Sequence, residues 1–298
     1  MNLRQIEVFR AFMLTGTIGD AARLLGVSAP AVSAMLHHIQ DRGGIRLFEP
    51  VKGRLLPTPE ARTLFAEAER AWKSVERVQR LREELAAGRA ATLRIAGTTS
   101  LGVHVIPEAV RQMAAGFPTL SVRVELFTPT LLVECLLADE ADVGVASCQI
   151  DHPGLVARLV GTAPIVCAMP LEHKLAEQEA VAIADLADMP LVTHSAELPE
   201  GGLVAEAFRT AGIIPQARVQ VRSGQSACWF VRSGAGVALL DAATVAGGAF
   251  ADLAIRPVAP SLALPVITLR TPLRKPTGPA LAFTRRVAAL CARLFPRS

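Results

Sequence analysis

Residues 18–42 read IGDAARLLGVSAPAVSAMLHHIQDR, two apolar-periodic stretches split by a glycine. The spacing predicts a short helix over about 18–25, a turn at Gly26, and a second helix over roughly 29–41 with Ser28 placed to cap it. Two helices that cross steeply over a three-residue turn need a tiny residue where their backbones meet, and Ala22 supplies it. They need a residue tolerant of positive φ in the turn, four positions on, and that is Gly26. Val32, six further, is the aliphatic wedge on the second helix. Upstream, Leu3, Ile6, Phe9, Arg10 and Met13 repeat at helical spacing until Thr15-Gly16-Thr17 ends the pattern. Downstream, two short apolar runs flank Lys52-Gly53-Arg54, which predicts a β-hairpin wing with a basic tip. The expected unit, residues 1–58, is a mainly α winged helix-turn-helix, with an ordinary helical hairpin as the alternative.

The charge follows the same division. Residues 1–58 hold seven Lys/Arg against four acids, whereas residues 92–298 hold seventeen of each. The net charge of +4 therefore sits almost wholly before residue 92, as expected if that part alone meets phosphate. The first residues lack the cleavage site of a signal peptide, and no run approaches 18 uncharged apolar residues, so a cytoplasmic location without membrane contact is expected. The five cysteines are widely spaced with no C-x-x-C, which argues against a disulfide framework or a zinc site.

The features AARLLGVS, PAVS, RLF, GRL and Thr58-Pro59 together resemble the N-terminal domain of LysR-type transcriptional regulators. That resemblance implies that the third helix enters the major groove of double-stranded DNA. Ser28, Ala29, Pro30, Ser33, His37 and His38 would then face base edges, while Arg4, Gln5, Arg46, Lys52 and Arg54 would hold phosphates. Three positions depart from the family: Ala29 stands where Gln is usual, Gln40 where Glu is usual, and Pro50 where Arg is usual. Ala29 cannot make a bidentate amide contact to adenine, so the usual operator is not the expected one.

Residues 59–91 form the next segment. Leu64, Ala68, Ala71, Val75, Val78 and Leu85 fall at coiled-coil spacing broken only by Arg82, with charges on the remaining faces. A long amphipathic helix follows, either packed on its own chain or paired with a second copy. The family's linker helix is a dimerisation element, so a dimer, extended to a tetramer, is implied, and RNA polymerase is admitted as a further partner. Residues 86–91 are the expected hinge.

From residue 92 short apolar runs alternate with helical stretches, which predicts parallel sheets flanked by helices, an α/β architecture. Strands are expected at 93–96, 121–126, 142–146, 156–169, 190–193, 218–221, 237–240 and 266–269. Helices are expected near 103–115, 131–138, 202–211, 226–233 and 279–294. Runs 156–169 and 264–270 are long enough to cross between two lobes, lobe I at about 92–161 and 268–298 and lobe II at about 162–267. LRIAGTTS, Phe117-Pro118, ADVGV and VRSGAGV resemble the effector-binding domain of the same family, which implies a periplasmic-binding-protein-like fold.

Between such lobes a small carboxylate or amino-acid-like effector is expected. Gly97-Thr98-Thr99-Ser100 follows a strand and is read as opening a helix, giving free N–H groups and three hydroxyls. Thr128 and Thr130, Ser147, and Ser223 with Gln225 repeat the arrangement at other strand ends, where open α/β sheets bind ligands. His194-Ser195 could add a switchable contact, and no acidic residue stands out as a partner for an amine. RSGQSAC and VALLD are closest to the branch containing the activator of lysine biosynthesis and the opine-catabolism regulators.

Catalysis is not expected, and neither is a cofactor or metal. Gly234-Ala235-Gly236 precedes a strand, the wrong order for a dinucleotide turn, and there is no P-loop, H-E-x-x-H or G-x-S-x-G. A solute-binding protein and a redox-sensing regulator are the rival readings. Cys148 and Cys167 lack the basic neighbours that would favour a thiolate.

Overall fold

The computed structural model describes residues 1–51, 54–86, 92–272 and 275–296. The expected hairpin-tip residues Lys52 and Gly53, the hinge residues 87–91 and the side chain of Leu85 lie outside the described residues. The chain divides into two compact units, Met1–Arg89 and Ala90–Ser298.

In the first unit, α1 (Leu3–Thr15) begins at a capping box. The Gln5 N–H donates to Asn2 Oδ1 (2.9 Å) and the Asn2 N–H donates to Gln5 Oε1 (2.8 Å). α2 (Ile18–Leu25) is capped by Thr17 and ends at Gly26, whose φ of 65° is the positive value the turn requires. α3 (Ala29–Gly43) runs two residues past its expected end. Ser28 sits at its N-cap position, but its side chain makes no capping hydrogen bond. The Ala31 N–H, the group such a cap would take, donates to the Ser28 carbonyl instead (3.1 Å).

Ala22 and Val32 are both buried, as the crossing geometry demands. The buried face of α1 is turned from the expected one. Val8, Phe9, Ala11 and Phe12 are inside, whereas Leu3 is 57% exposed. Aromatic packing sets this rotation, because Phe48 from the wing lies 5.9 Å from Phe9 and 4.8 Å from Phe12, ring centre to ring centre.

The wing is an antiparallel pair, β1 (Phe48–Val51) and β2 (Arg54–Pro57). Gln40 anchors it: its Oε1 accepts both the Leu47 N–H (2.9 Å) and the Phe48 N–H (2.8 Å). Gln40→Leu is expected to lower stability by about 1–3 kcal/mol, because two N–H groups lose their acceptor. Gln40→Glu should keep both bonds and stay near the parent in a thermal melt of the full chain. Thr58 links the wing to α4 (Pro59–Ala86), donating to the Arg46 carbonyl (2.9 Å) and accepting the Ala61 N–H (3.2 Å).

The early turns of α4 pack on their own unit through Ala61, Leu64, Phe65 and Ala68. Arg10 ion-pairs with Glu69 and lies 5.4 Å over the Trp72 ring, and Trp72 Nε1–H donates to Glu76 (2.8 Å). Beside that clamp the stripe is open at two positions: Ala71 is exposed and Val78 is 68% exposed.

The second unit is a mixed sheet with helices on both faces. β3 (Thr92–Thr98) lies parallel to β4 (Ser121–Phe127) and β5 (Val143–Ala146), with α5 (Val105–Met113) and α6 (Pro129–Leu137) in the crossovers. The fifteen-residue β6 (Val156–Pro170) runs on into a second group of strands. There it is flanked by β10 (Val237–Asp241) and β11 (Leu253–Ala259), and β11 also pairs with the short β7 (Val181–Ala182). β8 (Pro190–His194) joins β10 to β9 (Gln216–Val221), and β12 (Ala263–Arg270) returns beside β6 and β5. The remaining helices are α7 (Pro199–Thr210), α8 (Gly224–Arg232), α9 (Ala242–Val245) and α10 (Gly278–Leu294).

The sheet is not wholly parallel as expected, since β6 is antiparallel to β10, β11 and β12. β7 and β11 were not expected. In β11, Arg256 and Pro257 break the apolar run, and Arg256 instead spends its guanidinium on the Gln178 and Ala176 carbonyls. The first lobe's core holds Ile95, Ile106, Val143 and Val266 with Phe283, Val287 and Leu290, so the final helix returns to it. The second holds Ile165, Leu191, Phe208, Val237 and Leu239.

Candidate functional site

On α3, Val32, Leu36 and Ile39 are buried. The opposite side exposes Ser28, Ala29, Pro30, His37 and His38, with Ser33 half-buried between them. Ala31 and Ala34 complete this small, neutral surface. Around it, Arg4 is exposed beside Glu7 (2.5 Å), Arg46 stands 4.0 Å from Glu49, and Arg54 is exposed on the wing. Gln5 differs from its expected placement. It is 8% exposed and its carbonyl closes the capping box, so it belongs to the helix start instead of the charged rim.

The second unit contains a narrow cleft of about 40 Å³ where the two groups of strands meet. Thr98, Thr99, Thr128 and Ser147 line one wall with Phe127, Pro129 and Cys148. Leu198, Pro199, Glu200 and Arg222 line the other. Of the remaining residues expected here, Ser100 is buried just behind Ser147 (Oγ to Oγ, 3.0 Å). Thr130 and Gln225 are exposed away from the lining, and Ser223 caps α8 by accepting the Ser226 N–H (3.2 Å). The Ser195 N–H donates to the Val221 carbonyl (3.2 Å). His194 is buried, its ring bonded to the Leu239 backbone and Nδ1 without a partner among the described residues, and burial pushes its pKa down.

The expected helix start at Thr98–Ser100 is also corrected. Residues 99–104 form a turn, with the Gly102 and Val103 N–H groups donating to the Thr98 and Ser100 carbonyls, and α5 begins only at Val105. What the turn does provide is a hydroxyl cluster. Thr98 and Ser147 share a hydrogen bond (3.1 Å), Ser147 and Ser100 share another (3.0 Å), and the Ser147 N–H donates to Thr98 Oγ1 (3.1 Å). Ser100 in turn reaches the carboxylate of Asp241. Asp241 also accepts the Thr244 N–H (3.2 Å) at the start of α9.

Sequence reasoning found no acid for this cleft, and Glu200 overturns that. It follows Leu198-Pro199 at the first turn of α7, where Pro199 is the only local hint of a helix start. Burial raises its carboxyl from 4.5 to about 7, with the charge of Asp241 adding to the effect. Burial likewise raises Asp241 from 3.8 to about 6, against the opposing bonds from Ser100, Thr244 and Ala243.

Both groups bind protons more tightly folded than unfolded, so they cost stability as pH rises from about 4.5 towards 7. Glu200→Gln should therefore melt a few degrees above the parent at pH 8 and level with it near pH 4. A parent that melts higher at pH 8 would contradict the burial of this carboxylate.

Burial raises the Cys148, Cys167 and Cys228 thiols to about 12, which disfavours the thiolate a redox sensor uses. Among the described residues no helix is long and apolar enough to cross a membrane, and no group of His, Cys, Asp and Glu is placed to hold a metal.

Comparison with known proteins gives two family matches. A model described as bacterial regulatory helix-turn-helix protein, lysR family, matches residues 3–62, and one described as LysR substrate binding domain matches residues 86–292. Transcriptional activator protein LysR of Escherichia coli (strain K12) is 29% identical over 279 residues, 93% of this chain and 89% of its own. Octopine catabolism/uptake operon regulatory protein OccR of Rhizobium meliloti is 29% identical over 243 residues, 81% of this chain and 80% of its own. Among solved structures, full-length CbnR complexed with its target DNA aligns with a TM-score of 0.76 at 22% identity, over 97% of this chain and 99% of that one, a likeness of fold.

Proposed function

The chain belongs to the LysR family of bacterial helix-turn-helix regulators, and from that premise we propose that a small carboxylate or amino-acid-like effector in the cleft of its second unit controls its action on DNA. It is a DNA-binding transcriptional regulator with an effector-binding domain. The observation that carries the effector reading is the cleft itself. Hydroxyls from three strand ends share its lining with an arginine and a carboxylate, at the strand ends where open α/β sheets bind ligands. Octopine, named in the description of the R. meliloti relative, belongs among the compounds to test.

On DNA, Ala29, Pro30, Ser33, His37 and His38 take the major groove, and Arg4, Arg46, Lys52 and Arg54 take phosphates. The small methyl-rich face favours contact with thymine methyl groups over amide readout of adenine. The open stripe at Ala71 and Val78 pairs with a second copy, giving two recognition helices for a near-palindromic site in the cytoplasm. Effector binding then favours one arrangement of that dimer, or of a tetramer built from it, over another.

A thermal-shift screen of amino acids, opines and small carboxylates on the full chain tests the effector reading. At least one should raise the melting temperature, and a screen in which none does would sink it. For the phosphate contacts, Arg54→Ala, which removes one contact from each of two units, should lower the salt slope of DNA binding by about 2.

A further inference from the structure

α4 is held to its own unit in two ways. Its early turns pack through Ala61, Leu64, Phe65 and Ala68, an apolar contact that carries little direction of its own. One turn further on, the contact becomes directional. The Arg10 guanidinium of α1 ion-pairs with Glu69 and lies over the Trp72 ring, 5.4 Å from its centre. Trp72 Nε1–H donates to Glu76 (2.8 Å), one turn along, which fixes the plane of the ring. Arg10 and Glu69 are only 25% and 28% exposed, so salt screens the pair less than it would a fully exposed one. A planar guanidinium with its edge on a carboxylate and its face on an indole admits one relative setting of the two helices.

Glu69, Trp72 and Glu76 share one face of α4, at spacings of three and four. Ala71 and Val78 lie about 100–120° round the helix from Trp72, so the clamp leaves their stripe open. From Trp72 the helix continues for fourteen residues to Ala86, about 21 Å. A tilt of about 10° at the clamp moves that far end by about 4 Å, close to the rise of one base pair.

Resting on the paired-copy reading above, we propose that Arg10, Glu69, Trp72 and Glu76 fix the angle at which α4 leaves its DNA-binding unit, and that this angle sets the half-site spacing the dimer accepts. Arg10 and Trp72 are positioning residues. They touch no DNA; they decide how far apart two copies carry their recognition helices.

The test begins with a hydroxyl-radical footprint of the full chain on its own gene's upstream region, which marks the two half-sites. Duplexes with a base pair inserted or removed between them are then titrated with the parent, Arg10→Met and Trp72→Leu chains, alongside a duplex carrying one half-site. The parent should lose about tenfold for a single base pair, which shifts the second half-site by about 3.4 Å and turns it by about 34°. Both variants should narrow that penalty to about threefold or less while binding the lone half-site as the parent does. Arg10→Lys, which keeps the charge for Glu69 but not the flat face for Trp72, should fall between. A fold defect would instead weaken the lone half-site and every spacing together. A spacing penalty unmoved in both variants, or lost only in step with lone half-site affinity, would overturn the clamp's role while leaving the dimer standing. A parent footprint of one half-site would overturn the pairing and the clamp's role together.

Discussion

Gly236→Ala is expected to cost the effector-binding unit upward of about 3 kcal/mol, lowering its melting temperature by roughly 6–12 °C. Gly236 has φ +143°, and a Cβ there would lie 2.0 Å from the Pro190 carbonyl oxygen. That oxygen is backbone at the entry of β8, the strand paired with β10 at Val237 and Leu191, so no flexible side chain can move aside. The strands would have to part, and β10 ends at Asp241, which holds the hydroxyl cluster. Effector affinity should fall with stability. Calorimetric melting of the full chain reads the effect. A shift below two or three degrees would mean that this strand pair yields more easily than its geometry implies.

Phe9→Ala should act on the first unit instead. Phe9 is wholly buried and touches rings from two other elements, Phe48 at 5.9 Å and Phe65 at 6.4 Å. Large-to-small changes of this kind cost about 3–5 kcal/mol, a large share of a small domain's stability. The expected result is loss of DNA retention by the full chain at 37 °C with effector binding retained. Phe9→Leu should recover most of it. DNA affinity unchanged in the alanine variant would show that the unit tolerates the cavity, and the account of its core would be wrong.

The helix-turn-helix was legible because its constraints are local. Ala22, Gly26 and Val32 each answer a demand set by one tight turn, and the wing follows from a short alternating pattern. The failures beside it have equally local causes. Ser28 does not cap because the Ala31 N–H turns to its carbonyl instead, and α1 turns its other face inward because Phe48 arrives from thirty-odd residues away. Gln40, one of the three departures from the family pattern, gained its meaning only when the Leu47 and Phe48 N–H groups were found on its oxygen.

In the effector unit the hydroxyls at strand ends were legible as capping chemistry, and Thr98, Thr99, Thr128 and Ser147 do meet in one cleft. The acids beside them were not: Asp241 lies almost a hundred residues beyond Ser147, and no spacing rule connects Glu200 to either. Gly236 shows the same limit: its sequence neighbours exclude a dinucleotide turn, but the reason for a glycine is a carbonyl on another strand.

The account stands most directly on one titration. The full chain is bound to a duplex from its own gene's upstream region, at salt concentrations from 50 to 200 mM, with and without the most stabilising compound of the thermal-shift screen. Affinity should fall by about a thousandfold or more across that range, as expected for six or more phosphate contacts from a pair of recognition units. It should exceed that for an unrelated duplex and change when that compound is present. Binding that ignores salt, or makes no distinction between the two duplexes, would contradict it.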